Sequence, residues 1–188
     1  MKQPQTVAPT TQYLSFFLAG EEYALAILQV REIIEYDTIT RVPGTPAWIG
    51  GVVNLRGSVL PVIDLAMKLG LPPCTITRRT CIVVVEIDHE GDRLVLGLLT
   101  DAVGQVLDFG PGDVEATPPF GTPVHIDYLI GMGRAGKKFV LLLDANRILD
   151  TREIALADDV QRISIESPEP APPAAEGSPP ESASEPTP

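Results

Sequence analysis

The chain has 188 residues, 44% of them hydrophobic and 21% charged, with 19 prolines and a formal net charge of −11. That length can bury a sizeable core in one domain or in two intimately joined halves, and an acidic chain without a basic stripe excludes the phosphate backbone of a nucleic acid as an expected partner. No apolar run approaches the roughly 20 residues that a membrane span needs, and the opening Met1-Lys-Gln-Pro-Gln-Thr lacks the apolar middle of a secretory leader, so the expectation is a cytoplasmic protein with no direct membrane insertion.

Residues 1–11 are polar and contain proline, which predicts a flexible N-terminal arm. Tyr13 to Leu18 and Tyr23 to Ile27, separated by Gly20-Glu-Glu, read as the two strands of a hairpin. Leu28 to Glu35 places Val30, Ile33 and Ile34 among charges, a spacing that predicts a short helix packed on one face. Pro43 and Pro46 then fix a loop.

A second hairpin is expected over Ile49 to Ile63, with Asn54-Leu-Arg-Gly57 at its turn. Gly57 lets the backbone reverse there, leaving Asn54 and Arg56 on the rim, where a guanidinium can reach a partner. A surface ion pair alone contributes at most about 1 kcal/mol, so stability explains little of Arg56 in a turn. Asp64 is a suitable N-cap for a helix over Leu65 to Leu69, with Gly70 as its stop.

Residues 71–79 contain Pro-Pro and polar residues and read as a loop. Next come the richest β segments, Cys81 to Asp88, Arg93 to Leu99 and Val103 to Leu107, in which Gly97 and Gly104 mark bulges or tight bends that would curl a sheet. Cys74 and Cys81 make no disulfide framework; Cys81, opening an apolar strand, is expected in the core. A weak echo follows: Ile49-Gly50, a glycine turn with a basic residue, an apolar strand and Asp64 are matched by Ile130-Gly131, Gly136 with Lys137, Phe139 to Leu143 and Asp144. Two similar hairpin-plus-helix units suggest two small barrels side by side. Helix is expected from Asp144 toward Ala157, and an acidic Pro-rich disordered tail over residues 158–188. From Glu166 onward there are five Glu and no Lys or Arg, which leaves about −6 on the rest of the chain.

Chemical motifs yield little. Gly131-Met-Gly-Arg-Ala-Gly136 has the dinucleotide spacing, but a strand-like Lys137-Lys-Phe-Val-Leu-Leu-Leu follows where a helix is required, so a hairpin is expected and no cofactor. Asp88-His-Glu-Gly-Asp92 could suggest a hard-metal loop, yet it sits between two β runs and reads as a solvated turn. His125 lacks any local ligand spacing, and Ser15, Ser58 and Cys81 have no histidine placed to activate them. Trp48 is expected to plug a small barrel, with an exposed groove as the alternative. No metal site and no catalysis are expected.

Ile49-Gly-Gly-Val-Val-Asn-Leu-Arg-Gly-Ser-Val-Leu-Pro-Val-Ile-Asp64 resembles the signature of the CheW family, the chemotaxis coupling proteins that bridge receptors and the histidine kinase CheA. Tyr13 to Leu25, Val30-Arg-Glu-Ile-Ile34, Thr45 to Val52 and Asp101 to Val106 also fall in family order, so the resemblance covers about residues 12 to 156. It implies a mainly β fold of two SH3-like five-stranded barrels packed side by side with short helices, a CheW-like domain over 12–157, and no enzymatic activity. It further implies an adaptor, associated with receptor arrays at the inner membrane. One barrel would engage the regulatory domain of CheA, and the seam between barrels would receive the cytoplasmic tip of a chemoreceptor. Carried over by position, Arg56 of the Asn54-Leu55-Arg56-Gly57 unit resembles an arginine that pairs with a glutamate, here Glu32. Val30 and Gly51 resemble partner contacts, and Val103 and Val106 match the strand flanking the seam. A non-flagellar chemosensory adaptor, or a small-molecule-binding β-barrel, are the competing readings.

Overall fold

The computed structural model describes residues 10–89, 91–117 and 124–166. In chain order they form β1 (Thr11–Leu18), β2 (Glu21–Ala26), a 3-10 turn (Ile27–Gln29), β3 (Val30–Glu35), β4 (Ile49–Leu55), β5 (Ser58–Asp64) and α1 (Leu65–Lys68). Then come β6 (Cys81–His89), β7 (Asp92–Thr100), β8 (Ala102–Phe109), β9 (Val114–Glu115), a second 3-10 turn (Ile126–Tyr128), β10 (Leu129–Ala135), β11 (Lys138–Leu143), α2 (Ala145–Ile148) and α3 (Thr151–Glu166).

The fold is mainly β, in two sheets ordered β3-β6-β7-β5-β4 and β8-β1-β2-β11-β10-β9. The first has the five strands expected of an SH3-like barrel; the second has six, because β9 adds a two-residue edge. The five-stranded sheet is one continuous stretch of chain nested inside the other, which is assembled from β1 and β2 at one end and β8 to β11 at the other. Within that nesting the two halves exchange hairpins: β3 leaves β2 to pair with β6, and β8 leaves β7 to pair with β1. Parallel contacts β5–β7 and β11–β2 complete each sheet.

Central strands are apolar on both faces, and alternation sorts their side chains between two cores. Ile82 and Val84 of β6 join Val53, Leu60, Val62 and Leu99 inside the five-stranded barrel. Their neighbours Val83, Val85 and Ile87 point the other way, into a seam shared with Leu14, Phe16, Leu18, Tyr23 and Leu25 of the other sheet. Tyr13, Ala24, Phe109, Val140 and Leu142 fill the second barrel. Each such side chain contributes about 1.5–3 kcal/mol by leaving water, and the seam holds the largest set, so the barrels are joined by packing as well as by strand exchange.

Several expectations change. Leu28 to Glu35 is no helix: only Ile27–Gln29 makes a 3-10 turn, and Val30–Glu35 is a strand. A bulge at Arg31, between the Val30–Val85 and Glu32–Val84 pairs, shifts the period-2 pattern by one and so imitates helical spacing. Ile34 packs into the barrel while Ile33 remains 44% exposed. Cys81 opens β6 but is only partly buried. Gly104 lies at a bulge, where the amide of Gln105 donates to the buried Ser15 hydroxyl at 3.0 Å; Gly97 sits in regular register instead, leaving room for the Ile82 methyl. The Asp88–Asp92 and Gly131–Gly136 segments belong to hairpins, as expected: the first links the paired β6 and β7, and the second is mostly strand β10, paired with β11.

The C-terminal helix is broken into α2 and α3. Asp150 and Glu153 form a reciprocal capping box: the Asp150 carboxylate accepts from the amides of Arg152 and Glu153, both at 2.9 Å, and Glu153 Oε2 accepts from the Asp150 amide at 2.9 Å. These backbone bonds hold the Asp150 carboxyl below its ordinary pKa. From there α3 runs to Glu166, past residue 157, and buries Ile154, Ala157 and Val160 in the seam core. Residues 1–9, which include most of the expected arm, and residues 167–188 of the expected tail lie outside the described residues.

Candidate functional site

β4 and β5 are joined by the two residues Arg56 and Gly57, between the paired Leu55 and Ser58. Both central residues have positive φ, +53° and +87°, the pattern of a type I′ turn that matches strand twist. The Gly57 amide donates to Asn54 Oδ1 at 2.8 Å, so Asn54 locks the turn from within. Arginine in a left-handed conformation costs about 1–2 kcal/mol where glycine or asparagine would cost little.

From this turn Arg56 Nη2 donates to Glu32 Oε2 at 2.8 Å. Glu32 stands on β3, the opposite edge of the same sheet, on the strand face that carries Ile34 into the barrel core. The pair therefore spans the two edges at the barrel rim, with Leu55 partly buried beneath it. The Arg56 side chain is 77% exposed and that of Glu32 29%. An ion pair so exposed contributes less than about 1 kcal/mol, which does not offset the backbone strain. Stability does not explain this arginine: one carboxylate orients its guanidinium, and most of the side chain stays at the surface, where a planar fork of N–H donors can reach a carboxylate.

The other sequence-predicted residues divide. Gly51 is buried, at φ +137°, and a Cβ there would lie 2.2 Å from the carbonyl oxygen of Thr40. Thr40 bridges Val52 through hydrogen bonds of 2.9 and 2.8 Å and closes the sheet into a barrel. Gly51 thus serves closure and has no surface to offer. Val30 and Val103 are both half-buried against the seam core, one from each exchanged strand, whereas Val106 is 47% exposed on β8. The structure joins Glu32, Asn54, Leu55 and Arg56 at one rim and leaves Val103 and Val106 on the other sheet.

Sequence reasoning missed Lys68. Its side chain is only 7% exposed, ion-paired with Glu153, and its Nζ lies 5.2 Å from the ring centroid of Trp48 and 5.6 Å from that of Tyr128. Trp48 and Tyr128 occupy matching places, their carbonyls accepting from the Asp64 and Asp144 amides at 2.8 and 2.9 Å. Trp48 is half-buried on the seam core, closer to the expected plug than to an open groove. The internal echo could have pointed here once aligned correctly: β-bulges pair Gly51 with Gly131, one residue off the Gly50–Gly131 match read from sequence. Among the described residues no group of three or more His, Cys, Asp or Glu is placed to hold a metal, and none of the helices is long and apolar enough to cross a membrane.

Comparison with known proteins agrees with this architecture. Residues 12–153 match the family model of the CheW-like domain. The chain is 36% identical over 151 residues to a chemotaxis protein CheW of Klebsiella aerogenes, covering 80% of this chain and 89% of that one. It is 32% identical over 142 residues to a probable chemotaxis protein CheW of Rhizobium etli, covering 76% and 89%. A crystal structure of the scaffolding protein TtCheW from Thermoanaerobacter tengcongensis superposes with a TM-score of 0.68 at 30% identity, covering 77% of this chain and 96% of that one.

Proposed function

The chain belongs to the CheW-like family, and on that footing we propose that it is a chemotaxis scaffold that couples chemoreceptors to the histidine kinase CheA without chemistry of its own. One barrel engages the regulatory domain of CheA and the seam between barrels takes the receptor's cytoplasmic tip, in arrays at the inner membrane. Receptor state reaches the kinase as a coupling free energy between two binding surfaces, typically about 1–3 kcal/mol.

The observation that carries this reading is the Arg56–Glu32 pair at the barrel rim, held on a turn strained for no gain in stability. Glu32 fixes the guanidinium at the rim, and the half-buried Val30, two residues away across the bulge, supports the seam side of the same edge strand. The competing small-molecule barrel finds no support in the packing: the described barrel interiors are filled by Val, Ile, Leu, Tyr, Phe and Ala side chains. A surface-motility pathway would use the same adaptor chemistry.

The test is a ternary pull-down with a receptor cytoplasmic fragment and CheA. The native chain brings both down; Arg56→Glu retains its thermal midpoint but binds at least one partner about tenfold more weakly, the loss of a charge-assisted contact of about 1.4 kcal/mol. Unchanged affinity for both partners in that variant would remove Arg56 from the interface.

A further inference from the structure

Two surface clefts carry arginines, and they differ in one respect. In the cleft of about 450 Å³ lined by Arg31, Glu86 and Arg93, both guanidinium groups are ion-paired with Glu86. In the cleft of about 670 Å³ between the β1–β2 turn and the loop preceding β6, Arg78 and Arg79 have no ion-pair partner among the described residues. Asp101 lines that cleft too, with its carboxylate turned to the β1–β2 turn, where it accepts from the Ala19 amide at 2.7 Å.

The loop that presents these arginines is held rigidly. Thr80 is 2% exposed; its hydroxyl accepts from the Thr77 amide at 2.8 Å and donates to the Thr75 carbonyl at 3.3 Å. The Arg79 amide donates to the Thr77 hydroxyl at 3.1 Å, and the Cys74 amide to Asp64 Oδ2 at 3.2 Å. Ile76 on the same loop is 47% exposed, and Phe17 lines the facing wall. Two unpaired cations beside apolar surface, on a pre-organised loop of an acidic molecule, form a site for an extended anionic segment.

The geometry points to this chain's own residues 167–188 as that segment. They carry Glu169, Glu176, Glu181 and Glu185 with no Lys or Arg, separated by Pro and Ala, a composition complementary to Arg78, Arg79, Ile76 and Phe17. α3 ends at Glu166, and 22 residues of the same chain follow it. Attachment to the same chain raises the local concentration of this segment above that of any separate peptide, so weak contacts suffice.

Backbone amide NMR of the full chain tests this. Replacing Glu169, Glu176, Glu181 and Glu185 together by Gln shifts the amides of Gly20 and Thr75–Thr80, and Arg78→Ala with Arg79→Ala shifts the amides of residues 167–188 in return. Both differences shrink at least threefold between about 0.05 M and about 0.5 M NaCl, as screening requires. Loop amides indifferent to the Glu→Gln changes, or tail amides indifferent to loss of the arginines, would overturn the docking. So would loop amides that ignore the tail yet move on adding a separate Glu/Pro-rich peptide, which would assign the cleft to a partner.

Discussion

The hairpin–helix unit β4–β5–α1 and its counterpart β10–β11–α2 share a backbone and differ in what they place on it. Each enters through a bulge beside a glycine, Gly51 or Gly131, and each ends on an aspartate N-cap, Asp64 or Asp144. At the tip the first unit puts Arg56-Gly57 with both residues left-handed; the second puts Gly136-Lys137, where only Gly136 has positive φ. Thirteen residues after each entry glycine comes the cap, and four further on stands buried Lys68 in one unit and buried Ile148 in the other. Structure lives in what the repeats share. The specialised features, a strained arginine and a buried cation, are the places where one copy departs from the other.

The largest expected effect breaks that asymmetry at Lys68. Lys68→Met makes it resemble Ile148 but strands the Glu153 carboxylate, and chemical denaturation is expected to show a loss of about 3 kcal/mol. Adding Glu153→Gln, which still caps α3, should restore most of it. Next comes the entry glycine: Gly51→Ala is expected to cost about 2–3 kcal/mol, because its φ is left-handed and the Thr40 carbonyl cannot withdraw without opening the barrel. Gly131→Ala should cost about 1 kcal/mol, since its φ is ordinary and its close neighbour, the Glu115 carbonyl, belongs to a two-residue edge strand. Thermal midpoints of the two variants read the difference directly.

At the turn, Arg56→Gly should raise stability by about 0.5–1 kcal/mol by relieving the left-handed arginine while weakening partner binding. A variant that lost stability instead would mean the Glu32 pair is structural. The smallest effect concerns the first hairpin of each half, where Tyr23 sits at the place that Leu96 takes in the other. The Tyr23 hydroxyl is buried with no hydrogen-bond partner among the described residues, so Tyr23→Phe is expected to gain about 0.5–1 kcal/mol. Burial first, and Glu21 second, push its pKa up to about 12 from an ordinary 10. The unfolded chain therefore ionises while the folded one stays neutral, and stability falls as pH rises from about 10 to about 12. The Phe variant should lack that component of the fall.

What could be read from the sequence was local. Cys81 to Asp88 and Arg93 to Leu99 announce strands because both faces are apolar, and Asp64 announces its helix because the cap is three residues from the amide it accepts. Val30, Ile33 and Ile34 misled because the bulge at Arg31 resets the alternation, and a bulge leaves no mark in composition. Lys68 looked like an ordinary last-turn cation, since the carboxylate that holds it is 85 residues away. Arg56 stood out as a turn residue with no structural purpose, but Glu32 as its partner came only from family resemblance; nothing in the spacing of the two predicts contact across a barrel mouth. Gly51, a partner contact by family resemblance, is buried, and the demand on it that the structure shows is steric and comes from Thr40.

The nesting of one sheet within the other also sets an order on biosynthesis. β3 to β7 follow one another without interruption, so that shell can close as soon as Thr100 has left the ribosome. β2, among the first strands to emerge, must wait for Leu141 to Leu143 before its free edge is covered. The nascent polypeptide therefore carries an uncovered, largely apolar hairpin until Leu143 has emerged, more than a hundred residues after the hairpin itself is made.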